Sequence, residues 1–430
     1  MPKVRAFQGI RYNKDIVNIA SALCPPYDVI APTQVETFYK KAPYNAIRLV
    51  LGKQLPKDTK TDNRYTRARD FLKQWRKDVI LIKDEKPCLY VHEQVYTVGD
   101  KTVTRRGVIA SVCLDDGDKS DILPHECTHK GPKIDRLRLL NEVGTSLSSI
   151  FGIYSDKNKL VENQIKPALG DPLWEISTPE GQQRLWKIDS PKQIKLFTNL
   201  MIDKTILIAD GHHRYETYKT YRDRQRALSG KMDGNQPFDY TMMYLCNMEE
   251  GLTICPTHRV VLDGMGVGLV DIEYRIKDLF NMHPYDNRKA FLEALKKGGK
   301  GCIGLRVGGI PRYYLLELID PEALERFLPG DMPSPLKRLD VVILHACILE
   351  PIFGIDTGTS AKRITFTSNA SEALEMVEKE KADIAFLLNP SSMQEIMEIA
   401  HAGVRMPQKS TYFYPNIPTG LVFMTLEQGG

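Results

Sequence analysis

The sequence predicts a mixed α/β fold, and three local patterns predict it. Residues 63–77 place Tyr65, Ala68, Leu72 and Trp75 at helical spacing. Two strand-like runs, 87–96 and 103–112, flank the turn signal Gly99-Asp100 and read as an antiparallel hairpin. Residues 205–209 are a continuous apolar run, as in a buried strand, and lead through Asp210-Gly211 into a helical stretch over 212–227.

The remaining elements follow in order. Residues 1–52 read as short strands and turns, because the Pro-Pro of CPPYDVI (24–30) forbids regular helix and 45–51 (NAIRLVL) has a strand's composition. A polar loop over 115–121 precedes ILPHECTHKGP (122–132) and a helix over 133–143. A strand is expected over 149–154, a strand or hairpin over 175–188, a helix over 191–201, and strands over 238–248 and 257–262. In the last third, 301–306 and 312–318 form a strand pair, and 362–367, 371–380, 382–388 and a helix from Ser391 form a βαβα unit. Three parts are expected: a strand-rich stretch over 1–121, a core over 122–263 and a C-terminal α/β part over 264–430. Linker composition recurs at 115–121, 229–236 and 329–335.

At 430 residues, 42% hydrophobic and 26% charged, the chain has the composition of a soluble globular protein with ample core. A net charge of +5 over 59 basic and 54 acidic residues, with no long basic run, argues against nucleic-acid binding. The eight dispersed cysteines form no CxxC pair and read as reduced thiols. With no apolar run of 18 residues and no apolar stretch near the N-terminus, no membrane partner is expected and the cytoplasm is the expected compartment.

The chemistry concentrates at TILIADGHHRYETY (205–218). Asp210 is a preferred N-cap residue, and Gly211 permits a sharp turn and close approach of a ligand. The helix start directs unpaired amides and its positive dipole end at the turn. His212, His213 and Arg214 add donors suited to phosphate. Asp210 also offers a carboxylate for a bridging magnesium ion. The alternative is a well-capped surface helix with a basic first turn.

HECTH (125–129) has the spacing of a zinc-protease helix, but Pro124 and Gly131-Pro132 leave room for barely two turns. The charges suggest Glu126 as general base or magnesium ligand, His125 as its partner, and Lys133 and Arg136 as phosphate contacts. The alternative is ordinary exposed groups on a loop. Asp28, on a loop stiffened by two prolines, is a second candidate base, or an Asx-turn former. His258 and Arg259 open a strand and Lys409 precedes an aromatic run; each is a further candidate phosphate contact. Gly264, Gly266 and Gly268 lack dinucleotide spacing and read as a turn, and neither a P-loop nor a nucleophile elbow is present.

ADGHHRYET, together with PPYDVI, NAIRL, LPHE, THR and MPQKSTYFYPN, resembles the family known as domain of unknown function 1015 across nearly the whole chain. The central turn is also similar to that of the ParB/sulfiredoxin superfamily, in which a strand, a Gly-His-Arg-like turn and a helix cradle nucleotide phosphates. This resemblance implies a ParB/sulfiredoxin-like nucleotide core around 191–262 and assigns phosphate binding to Asp210, Gly211, His212, His213 and Arg214. His212 stands where sulfiredoxin has its catalytic cysteine, which argues against sulfinic-acid repair. No helix-turn-helix of the partition proteins is recognisable. What the resemblance implies is a nucleotide-dependent small-molecule kinase acting on serine or a related hydroxy acid, with ATP or ADP as donor, Mg2+ as cofactor, and Glu126 or Asp28 as base. Phosphoserine-type hydrolysis and a nucleotide-gated regulatory protein are the alternatives, and zinc hydrolysis through HECTH is the most remote.

Overall fold

The computed structural model describes residues 2–115, 120–320, 323–356 and 363–427. The chain is mixed α/β and divides into two compact units. The first comprises Met1–Leu123, Thr128–Leu252 and Pro415–Gly430, and the second Pro124–Cys127 and Thr253–Tyr414.

Among the described residues, the first unit is built on a nine-stranded sheet. Its order runs Ile122–Leu123, Ile206–Asp210, Ile150–Tyr154, Tyr240–Asn247, Lys101–Cys113, Leu89–Val98, Gly181–Ile188, Trp174–Thr178, with Val4–Arg5 also paired to Lys101–Cys113. Ile206–Asp210 is parallel to Ile122–Leu123 and antiparallel to Ile150–Tyr154. The expected hairpin is Leu89–Val98 with Lys101–Cys113, and Gly99 supplies its turn at φ 57°. The strand over 205–209 is the buried Ile206–Asp210, and the helix after it is His212–Ser229. Helix Pro191–Met201 forms where expected, with Pro191 in its first turn.

Residues 45–51 are a correction: they form the helical turn Ile47–Val50, not a strand. Asn45 decides it. Its Oδ1 accepts the Ile47 N–H at 2.9 Å, and its Nδ2 donates to the Ser21 and Leu23 carbonyls. Ile47, Leu49 and Val50 are buried and Arg48 is half-buried, a pattern too short for its period to tell helix from strand. The first fifty residues, expected as strands and turns, also contain helices Ile19–Ala22 and Val35–Lys41. The helix expected over 133–143 begins earlier, as Lys130–Val143, because Pro132 is tolerated within a first turn.

The second unit holds a six-stranded sheet in the order Phe280–Tyr285, Tyr313–Leu318, Cys302–Val307, Ile384–Leu387, His258–Val261, Ile364–Thr367, with all neighbours antiparallel. Ile364–Thr367, helix Ala370–Glu378, Ile384–Leu387 and helix Met393–His401 are the expected βαβα unit. Its two strands run parallel, with His258–Val261 between them and antiparallel to both. Lys362, expected to open the first strand, lies outside the described residues, as do 116–119 of the polar loop. The expected glycine turn is present, with Met265 and Gly266 at φ 53° and 75°. Alternate residues of three strands, Leu305, Leu316, Ile384 and Phe386, are buried together in one apolar core. Among the described residues, no helix is long and apolar enough to cross a membrane.

Candidate functional site

The strand Ile206–Asp210 carries an irregularity at its end. Ile208 pairs with Gly152 and Asp210 with Phe151, so Ala209 is an extra residue. Such a bulge re-aims the strand's last side chain. Gly211 then turns the chain at φ 95°, ψ 26° and occupies the N-cap position itself. Asp210, expected as the cap, does not cap: no side chain caps this helix. Its Oδ2 instead pairs with Arg214 Nη2 at 2.6 Å.

Arg214 therefore faces inward. Its Nη1 donates to Ser148 Oγ at 3.2 Å and to the Ser149 carbonyl. Burial disfavours its charge, but the carboxylates of Asp210 and Asp28 outweigh that effect and hold its pKa above the ordinary value. Arg214 is 6% exposed, whereas the Asp210 side chain is 36% exposed, so the pair presents a carboxylate to solvent over a buried guanidinium. His212 and His213 are buried as well.

A second helix start meets this one. Helix Lys130–Val143 has His129 as its N-cap residue and no side-chain cap. The His129 backbone N–H donates to His213 Nε2 at 3.0 Å, and the two imidazoles lie 6.2 Å apart at 30°. Accepting at Nε2 makes His213 a neutral imidazole with its proton on Nδ1. Neither helix has an acidic residue in its first turn. Lys130 is exposed and Lys133 half-buried beside the one start, and His212, His213 and Arg214 stand in the other.

Arg136, from the second of these helices, lies over the Tyr27 ring, its Cζ 3.9 Å from the centroid. It donates to the Val50 carbonyl at 2.6 Å and to Asp135 Oδ2 at 2.8 Å. Asp135 also accepts from Tyr65 at 2.7 Å and from Arg64. Burial of Tyr27, reinforced by Asp28, pushes its phenol above the ordinary range. Tyr27, Arg136, Ser148, Arg214 and Tyr218 line a cavity of about 40 Å³, large enough for a water molecule. Asp28 is exposed beside Tyr27.

The other expected residues belong to the second unit. His125 is buried, with Nε2 2.9 Å from Thr411 Oγ1. Glu126 accepts from the Thr411 N–H and hydroxyl, both at 2.9 Å, and from the Lys409 N–H at 3.3 Å. The backbone of 125–127 is extended and pairs with Met406, so HECTH is no helix and its histidines do not share a helical face. His258 Nδ1 accepts the Leu388 N–H at 3.2 Å, and burial lowers its pKa to about 4. Arg259 donates to the carbonyls of Thr257 and, at 3.0 Å, Lys409. In the first unit the fold thus assembles Asp28, Arg136 and Asp210–Arg214, with Lys133 on the first turn of the partner helix. His125, Glu126, Arg259 and Lys409 form a second group.

Sequence reasoning passed over His129 as anything but a metal ligand, and it passed over Ser148, Ser149 and Thr411. Only HECTH and MPQKSTYFYPN carried a signal for any of them. Among the described residues, no three His, Cys, Asp or Glu side chains are grouped to hold a metal ion.

The first unit is thus an α/β structure in which two uncapped helix starts, joined by the His129–His213 hydrogen bond, meet beside a mixed sheet. The chain belongs to the family described as "Protein of unknown function (DUF1015)", whose model matches residues 4–342. No curated protein matches it. Among solved structures, it is similar to a mutant free serine kinase in complex with AMP (12% identity, 73% of this chain, 92% of that chain, TM-score 0.37). It is similar to a conserved hypothetical protein from Pyrococcus furiosus (13%, 73% and 95%, TM-score 0.37). It is also similar to SbnI with a C-terminal truncation from Staphylococcus aureus (12%, 75% and 90%, TM-score 0.37). At these TM-scores the functional reading rests on the chain's own residues.

Proposed function

We propose that the protein is a nucleotide-dependent small-molecule kinase, with serine or a related hydroxy acid as acceptor, and that the nucleotide phosphates bind where helices Lys130–Val143 and His212–Ser229 begin. One observation carries this reading. Both helix starts lack a side-chain cap and an acidic first-turn residue, and a hydrogen bond from His129 to His213 joins them. A cation beside a helix N-terminus costs roughly 0.3–1 kcal/mol, and Lys130 and Lys133 stand beside the first of these starts. An anion bound to the first-turn amides reverses the sign of that interaction.

The roles follow from burial. Amides of the two first turns are the phosphate donors, with Lys133 as a charged side chain within the same turn. His213 and Arg214 act mainly as positioning residues: one ties the two helices together, the other holds Asp210. Magnesium typically takes one or two protein carboxylates and completes its shell with phosphate and water, so Asp210, half-buried with a side chain 36% exposed, suits it. When bound, the ion neutralises charge on the phosphates. Asp28 is the better base of the two expected ones, because it is exposed whereas the Glu126 carboxylate already accepts three hydrogen bonds. In this role Asp28 takes the proton of the acceptor hydroxyl as its oxygen bonds to the transferred phosphorus and the nucleotide leaves.

The test is calorimetric titration of Mg-ADP and Mg-ATP into the protein and its Asp210→Asn and Asp28→Asn variants, followed by incubation with serine and nucleotide. D210N weakens nucleotide binding, and D28N binds nucleotide normally but transfers no phosphate. Absence of nucleotide binding to the native protein contradicts the proposal. Release of phosphate from phosphoserine without nucleotide would assign a hydrolase instead.

A further inference from the structure

Within the second unit lies a cavity of about 820 Å³, in the size range of small-molecule sites. Its wall includes Arg259, which is fully buried. The guanidinium donates to two carbonyl oxygens, and its Nε has no partner among the described residues. Among the described residues, no carboxylate lies within ion-pair distance of it. Thr257, on the same wall and 7% exposed, also has a hydroxyl with no partner among the described residues. Arg259 and Thr257 thus line one cavity, and each holds a buried donor without an acceptor among the described residues.

The charges around them lean the same way. Lys296 and Arg338 line the cavity and form no ion pair among the described residues. Of the acids lining it, Glu395 is paired with Lys300, and Glu398 accepts from Gln394 at 2.9 Å. Asp340 accepts the Gly301 N–H at 2.9 Å. Helix Met393–His401 begins at the same wall, its start already closed by a capping box of Ser392 and Glu395. Burial lowers the pKa of Arg259 to about 9, with only Glu126 opposing it. A buried guanidinium without a counter-charge is costly, and a bidentate oxyanion is the partner its geometry suits.

We propose that this cavity binds a small molecule through an oxyanion group, phosphate or carboxylate, received by Arg259 and Thr257 with Lys296 and Arg338 at the rim. The site is made of second-unit residues only, and it stands whether or not nucleotide binds the first unit.

The experiment is calorimetric titration of the full chain with inorganic phosphate and, separately, with malonate, which distinguishes the two oxyanion sources. Thr257→Val keeps the shape and removes an unpartnered hydroxyl, so the fold is retained while affinity for the preferred probe falls about tenfold. The Lys296→Gln/Arg338→Gln double variant weakens binding several-fold and flattens its salt dependence. Arg259→Gln abolishes binding; should it fail to fold, the other two variants still decide. Binding that survives both T257V and the rim double variant unchanged belongs elsewhere on the protein and overturns the proposal, as does failure of both probes to bind.

Discussion

Substituting Gly211 by alanine tests how tightly the turn is built around Arg214. Gly211 sits at φ 95°, and a Cβ there would lie 3.1 Å from Cζ, Nε and Nη2 of Arg214. The left-handed conformation costs an L-residue roughly 1–2 kcal/mol, and reduced freedom of the unfolded chain returns about 0.4–1 kcal/mol. The guanidinium has little room to retreat, because it is buried and bonded to Asp210, Ser148 and Ser149. Losing one such charge-assisted bond adds about 1.5–3 kcal/mol. G211A should therefore destabilise by about 2–4 kcal/mol. Gly230, at the other end of the same helix, is the control: it has φ 69°, and a Cβ added there would meet nothing within 4 Å. G230A should cost only about 1 kcal/mol. Urea denaturation of both variants without nucleotide measures the difference. Equal losses would refute the argument that Arg214 fills the space over Gly211.

Three further outcomes are expected. His213→Ala leaves the His129 N–H without its acceptor and should cost about 1–3 kcal/mol, while His213→Gln, whose Oε1 can reach the same donor, recovers part of it in thermal melts. His258 and His345 are buried, with pKa values lowered to about 4 and about 3. Their unfolded counterparts take up protons near pH ~6.5. Stability should thus be insensitive to these groups above that pH and fall progressively as pH drops toward 4, as read from urea midpoints; a flat profile down to pH 4 contradicts it. Among the described residues neither ring nitrogen of His345 has a partner, so His345→Leu should be neutral or stabilising at pH 7 and should reduce that acid slope; a loss above about 1 kcal/mol would show an unrecognised role.

Much of the scaffold is readable from local pattern. The apolar run before Asp210 reads as a buried strand because every residue from Ile206 to Ala209 is buried, and Gly99 marks a hairpin because its positive φ closes one. Residues 45–51 misled because so short a run carries no clear period and a single asparagine side chain sets the local conformation. The chemistry of the DGHHR turn was legible as composition, but its orientation was not. The bulge at Ala209 and the turn at Gly211 bring Asp210 over Arg214, so the cation expected to face a ligand faces the interior. The bond between His129 and His213 joins residues 84 positions apart, which no window along the chain can see. Glu126 is likewise occupied by Thr411 and Lys409, more than 280 positions away.

Amide hydrogen exchange with and without Mg-nucleotide tests the central claim most directly. Binding at the joined helix starts should slow exchange in peptides covering 129–133 and 211–215 together, leaving the distant hairpin turn at 98–101 unchanged. Nucleotide that binds without protecting either helix start would contradict it.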